Sequence, residues 1–186
     1  MKMKQITFYM WLILVAGIII TYLIFPEYLS ISFMEEYVVD HPIETLVIYY
    51  LLISLKGLLL IPATPILLAG IIIFNPVEVF LVNMAGIITS TTIVYYFSKY
   101  LEFDVYFETK HSKYTHLIRD KLQNRELSII VLWSFLPPAP TDLIVYVAST
   151  LRINFFKCLL GVFIGEAIIN AFCIISVTML LKGNIY

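Results

Sequence analysis

Apolar residues collect in five runs, at 6–25, 43–74, 77–98, 127–151 and 155–181, separated by two polar segments at 26–44 and 99–126. Three of the runs, 6–25, 77–98 and 155–181, have the length of a helix crossing a hydrocarbon core, about 20 residues. The other two are broken. The 43–74 run is interrupted by Lys56, Pro62 and Pro65, and the 127–151 run by Pro137, Pro138 and Pro140. Proline lacks a backbone donor and disfavours helix at the residue before it, so a straight spanning helix must break at both places. Beyond Pro65 only residues 66–74 remain before Asn75-Pro76, about half a membrane thickness. These lengths predict two re-entrant helical hairpins, 45–74 and 127–151, each entering and leaving by one membrane face.

The polar segments orient the chain. Segment 26–44 carries Glu27, Glu35, Glu36, Asp40 and Glu44 with no Lys or Arg, whereas 99–126 carries Lys99, Lys110, Lys113, Arg119, Lys121 and Arg125. The excess of Lys and Arg places the 99–126 loop, and with it the N-terminus, in the cytoplasm. Helical spacing of Tyr114, Leu117, Ile118 and Leu122 predicts short interfacial helices in the polar segments. The expected architecture is one all-α membrane domain over 1–186, multi-pass in the cell membrane. The two hairpins then enter from opposite faces.

An internal repeat agrees with this. A shift of 75 positions superposes Pro62 on Pro137, Pro65 on Pro140, Phe80 on Phe155 and Gly86 on Gly161. A hairpin followed by a spanning helix therefore occurs twice, in opposite orientation. Inverted repeats with discontinuous helices meeting at the midplane characterise transporters, because non-helical backbone at that depth needs protein or a wet cavity around it.

Composition excludes other classes. The 186 residues are 61% hydrophobic and 13% charged, with a mean hydropathy of +0.93, against about 25% charged for a soluble domain. A net charge of -1 leaves no basic surplus for a nucleic-acid backbone. Cys158 and Cys173 stand fifteen residues apart in one apolar run, roughly 22 Å along a helix and too far for a disulfide. The 8–25 run is too long for the core of a signal peptide and leads into Pro26-Glu27, so it is expected to be a retained span.

Ionisable groups inside apolar runs are costly and point to function. Three qualify: Lys56 before the first proline motif, Asp142 after the second, and Glu166 in the last span, with Asn170 one turn further on. Facing tips would bring Lys56 and Asp142 within pairing distance, either as part of a pathway or as a structural clasp. Asn83 is a neutral polar partner for the same region. Glu78 and Arg152 flank span ends, where they can reach lipid headgroups. Gly86, Ser90, Gly161 and Gly165 are expected at close helix crossings. Zinc-protease, serine-nucleophile and phosphate-loop motifs are absent from the sequence, and His41, His111 and His116 lie in the polar segments. No enzyme activity, cofactor or metal is expected.

The residues Leu60-Ile61-Pro62-Ala63-Thr64-Pro65 with Leu68-Ala69-Gly70, and Phe135-Leu136-Pro137-Pro138-Ala139-Pro140 through Gly165, resemble the DedA/VTT-domain superfamily of integral membrane proteins. The resemblance covers roughly 45–180. It departs from the bacterial pattern at Ser134, where an arginine is usual, and at Asn75, where a glycine is usual. Asp142 stands where some relatives have asparagine. The resemblance implies lipid movement across bilayers, of a polyprenyl phosphate or a phospholipid. The expectation is a flippase- or scramblase-like translocation site built from Lys56, Pro62, Pro65, Asn83, Pro137, Pro140, Asp142 and Glu166. Glu78 and Arg152 would touch headgroups, and protons could couple through Asp142 or Glu166. The alternatives are a small-solute or ion secondary transporter and a membrane scaffold without transport.

Overall fold

The computed structural model describes residues 41–103, 125–136 and 140–183, with isolated helical positions at Ile6, Thr7, Tyr9, Met10, Ile13, Gly17, Val105 and Thr109. The expected first span, the acidic segment, most of the basic loop with its interfacial helix, Pro137 and Pro138 lie outside the described residues. The chain divides into two units, 1–45 and 46–186. In the first, the backbone N–H and Oγ1 of Thr45 both donate to the carbonyl of His41, at 3.0 and 2.8 Å.

The helices are α1 (Pro42–Lys56), continued by a 3-10 turn (Gly57–Leu59), α2 (Ala63–Ile73), α3 (Pro76–Tyr100), α4 (Glu126–Ser134), α5 (Thr141–Thr150) and α6 (Phe155–Gly183). No strand occurs among the described residues. Three stretches are long and apolar enough to cross a membrane: Pro42–Leu59, Pro76–Tyr100 and Phe155–Leu181. Helices α3 and α6 extend the expected 77–98 and 155–181 spans by one or two residues at their ends. The first stretch differs from expectation. Read as a hairpin arm, it is 18 residues long with its turn, about 27 Å, because the helix begins at the polar Pro42–Thr45 turn. The part beyond Thr45, residues 46–56, is about 16 Å, matching the 11-residue α2.

Helix ends follow from local chemistry. After the 3-10 turn, Leu60 takes the left-handed conformation (φ 55°). Its N–H reaches the carbonyl of Gly57 at 3.4 Å, and Ile61 N–H reaches that of Lys56 at 3.2 Å. This crossed pair is a Schellman stop, with Pro62 sealing it. The same stop ends α5: Arg152 has φ 58°, its N–H donates to Ser149 at 3.0 Å, and Ile153 N–H donates to Ala148 at 2.9 Å. Helices α3 and α6 begin with asparagines. Asn75 donates from its N–H and Nδ2 to Glu78 Oε2, both at 3.3 Å. Asn154 Oδ1 accepts from the N–H groups of Phe156 and Lys157 at 2.9 and 3.3 Å. Helices α2 and α5 begin instead at Pro62 and Pro140, with no side-chain cap.

The chain doubles back at 60–62. Tyr49 on α1 stacks against Phe74 just beyond α2, ring centroids 5.5 Å apart, and packs on Gly70. The main core joins Tyr49, Ile53, Met84, Ile87, Val94, Tyr95, Ile130, Val145, Ala148, Cys158 and Val162. Tyr95 and Ser149 tie α3 to the end of α5: Tyr95 Oη donates to the carbonyl of Ile153 at 2.5 Å, and Ser149 Oγ donates to that of Tyr95 at 2.9 Å. Outward faces carry Leu81, Leu132, Phe156, Phe172 and Met179, all more than 60% exposed. That greasy exterior suits hydrocarbon rather than water.

One contact occurs twice. A methyl on Gly86 would lie 2.7 Å from Ile53 Cγ2 and 3.5 Å from the carbonyl of Tyr50. A methyl on Gly161 would lie 2.7 Å from Ile130 Cγ2 and 3.4 Å from the carbonyl of Leu127. Each glycine lets the arm of a broken helix lie against the long helix that follows it. The spacing is 33 residues in one case and 31 in the other, so the 75-residue shift holds after the prolines and becomes 77 before them.

Candidate functional site

The charged side chains buried among the described residues are Lys56, Asp142 and Glu166, and the fold gathers them. Lys56 closes α1, where the Schellman stop fixes the backbone just beyond it. Asp142 is the second residue of α5. Lys56 Nζ donates to Asp142 Oδ2 at 2.6 Å, with both side chains 2–3% exposed. The other oxygen, Oδ1, accepts from Ser90 Oγ at 2.9 Å. A buried carboxylate with both oxygens engaged and a cation on one of them is the arrangement that offsets desolvation. Gly57 makes room for it: a side chain there would strike Asp142 Oδ1, Ser90 Oγ and Val94.

A second cluster adjoins the first through the Thr141-Asp142 peptide. Glu166, on α6, accepts from Thr141 Oγ1 on Oε1 and from Asn170 Nδ2 on Oε2 at 2.9 Å. Asn170 in turn accepts from Asn83 of α3, and its Nδ2 also reaches the carbonyl of Glu166 at 2.7 Å. Lys56 and Asp142 both act electrostatically on Glu166. Counted as formal charges, the cluster holds one cation and two carboxylates.

Beside Glu166 lies a small cavity lined by Ala63, Thr64, Leu67, Ser134, Leu136, Thr141, Glu166, Ile169, Asn170 and Cys173. Its volume of about 20 Å³ admits roughly one water. The first turn of α2, at Ala63 and Thr64, and the first residue of α5, Thr141, both open onto it. The proline side chain has no acceptor atom, so neither helix start is capped by the side chain preceding it. Ser134 is 2% exposed, and its Oγ has no hydrogen-bond partner. Asn83 Oδ1 is likewise buried without one.

The structure thus brings together Lys56, Pro62, Asn83, Pro140, Asp142 and Glu166. Pro65 sits in the first turn of α2. Pro137 lies outside the described residues. Glu78 and Arg152 stand apart from the cluster: Glu78 serves the start of α3 and Arg152 the stop after α5. Ser90, expected only as a small packing residue, is a ligand of the Asp142 carboxylate. Two positions beside Glu166 and its cavity escape sequence reasoning. Thr141 is marked only by following Pro140, and Ser134 only by standing where the resemblance expects arginine.

No curated protein and no solved structure matches the chain. A family model described as the VTT domain matches residues 61–179, from the Schellman stop after α1 almost to the end of α6 and across every helix of the polar cluster except α1. The protein therefore belongs to the VTT-domain family, the DedA/SNARE-associated Golgi group of membrane proteins.

Proposed function

We propose that this membrane protein translocates a phosphate-bearing lipid, whose headgroup passes through the polar cluster while its acyl chains stay in the bilayer. The observation that carries the reading is the pair of proline-started half-helices, α2 and α5, opening on one cavity with Ser134 Oγ unpaired there. Half-helix N-termini present unbonded N–H groups and a positive dipole end, which favour an anion. In transporters such discontinuous helices meet the anionic part of a substrate near mid-bilayer. Lys56 offsets phosphate charge in transit. The cavity admits a water and not a headgroup, so translocation includes a widening between α2, α4 and α6.

On this reading the two broken segments are re-entrant hairpins of an inverted repeat. The matched Gly86–Ile53 and Gly161–Ile130 contacts and arms of 9 to 11 residues in α2, α4 and α5 support it. The Lys and Arg excess in 99–126 supports a cytoplasmic loop and N-terminus. The test is reconstitution into vesicles bearing a fluorescently tagged phosphate lipid, with an impermeant quencher added outside. Protein-containing vesicles lose the inner-leaflet signal as well, and the Asp142→Asn protein does not support this. Loss confined to the outer leaflet with folded wild-type protein would refute the proposal.

A further inference from the structure

Glu166 occupies an unusual place for a carboxylate. It lies against the N-terminus of α5, held by Thr141 Oγ1 on one oxygen and Asn170 Nδ2 on the other. It also lines the cavity onto which α2 opens. That helix has no acidic residue in its first turn and no side-chain cap, and Ser134, whose buried Oγ has no partner, lines the same space. An anion belongs where these donors converge, and in this conformation a carboxyl group of the protein itself takes that place. The cavity left beside it is one water in size.

We infer that Glu166 is a tethered anion resident in the headgroup site. A phosphate ester enters only when this carboxylate is neutralised or withdrawn. The inference rests on the reading of the cavity as a headgroup site, and it assigns Glu166 the regulation of that site. The exchange is electrostatically balanced. With Glu166 charged, it and Asp142 complement the start of α5, and a second anion in the adjoining cavity meets repulsion at low dielectric. Once Glu166 takes a proton, Asp142 still stands in the first turn of α5, but the start of α2 has no charged partner, and the phosphate takes that place. The titratable groups facing Glu166 are Lys56 from α1, Asp142 from α5 and Cys173 from its own helix. From α2, α3 and α4 the neighbours are Thr64, Asn83 and Ser134, none of them charged. Lys56 and Asp142 are bonded to each other, whereas the hydrogen-bond partners of Glu166, Thr141 and Asn170, are neutral.

Trp133 provides a reporter, since it adjoins Ser134 and its Nε1 donates to the carbonyl of Pro140 at 3.4 Å. The other tryptophan, Trp11, is removed by Trp11→Phe. Full-length protein in nanodiscs is titrated with dihexanoyl phosphatidylglycerol, a phosphodiester whose charge does not titrate near neutrality. At the alkaline end of a pH series the Glu166→Gln protein should bind about tenfold more tightly than wild type, and wild type should approach that affinity as the pH is lowered while the variant stays constant. Should Glu166→Gln fail to fold, the wild-type pH series alone decides. Wild-type binding that ignores pH, or weaker binding by folded Glu166→Gln, overturns the tethered-anion role and leaves the headgroup site standing. Absence of binding in every protein and at every pH overturns both.

Discussion

The two halves of the molecule share a scaffold and divide the chemistry. In the first, the arm formed by α1 lies against α3 at Gly86; in the second, α4 lies against α6 at Gly161, with nearly identical spacings. One turn along, the roles of the paired residues are exchanged. In the first half Gly57 on the arm meets Ser90 on the long helix, and in the second Ser134 on the arm meets Gly165 on the long helix. Each crossing tolerates a single small side chain, and which helix carries the hydroxyl decides where it points. Ser90 binds Asp142, whereas Ser134 faces the cavity without a partner. The charges are divided more sharply. Lys56 comes from the first half and both carboxylates from the second, while the positions matching Asp142 and Glu166 in the first half are Leu67 and Thr91. Duplicated packing therefore supplies two facing tips, and asymmetry between them supplies the site.

The largest effect should come from forcing symmetry on the charged pair. Asp142→Leu installs the residue of the first half and strands Lys56 in the interior, a loss of about 3–5 kcal/mol. Lys56→Met alone strands Asp142 with a similar penalty. The Lys56→Met/Asp142→Leu double variant should recover most of the stability in thermal melts, because an apolar pair replaces an ionic one. If the pair belongs to the translocation path, that double variant stays inactive in the vesicle assay. Restored lipid movement would reduce the pair to a clasp.

Next in size is the small-residue exchange. Gly57→Ala pushes a methyl into Asp142, Ser90 and Val94, and overpacking of this kind costs about 1–3 kcal/mol. The double variant Gly57→Ser/Ser90→Gly reproduces the arrangement of the second half, so it should melt closer to wild type than Gly57→Ala does. An unrelieved double variant would show that the two crossings are not equivalent. Gly86→Ala and Gly161→Ala sharpen the same comparison. Each places a methyl 2.7 Å from an isoleucine Cγ2, so each should lose about 1–2 kcal/mol, the two agreeing within about 0.5 kcal/mol. Unequal losses would break the scaffold equivalence.

Much of this was legible in the sequence because membranes make polarity expensive. Lys56, Asp142 and Glu166 stand out against apolar runs, and prolines mark where helices stop. Asn170 was legible as well, one turn from Glu166. The register of the repeat was only half legible. Four landmarks agree on a shift of 75, but three of the four pairs follow the first proline of their motif, and the two-residue difference before the tips shows only in the contacts of Ile53 and Ile130. Ser90 and Thr141 were hidden for a related reason. A hydroxyl on an apolar helix usually bonds its own backbone, as Thr89 and Thr92 do here with Ala85 and Ile88. Nothing in local sequence distinguishes those from a hydroxyl that reaches a carboxylate 52 or 25 positions away. The first arm starts at Pro42, three residues before the expected 45, because Pro42 opens a helix as readily as Pro62 ends one.

The smallest effect on stability separates capped from uncapped helix starts. Asn75 and Asn154 serve α3 and α6 at their outer ends, while Pro62 and Pro140 leave α2 and α5 uncapped inside. Pro62→Asn gives α2 the acceptor it lacks, a gain of about 1 kcal/mol at an ordinary N-terminus. The substitution also frees the unfolded chain from a fixed φ, a loss of about 0.4–1 kcal/mol. The two nearly cancel, so melting should move little. Binding should not be neutral. The new carbonyl oxygen engages the first-turn N–H groups that an anionic headgroup would otherwise use, and affinity for the phosphatidylglycerol probe should fall several-fold. Asn154→Ala makes the complementary case: it should lose about 1 kcal/mol of stability with probe affinity unchanged. A Pro62→Asn protein that binds the probe like wild type would place the anion elsewhere than at the start of α2, and would return the missing cap to a consequence of the chain's sharp turn.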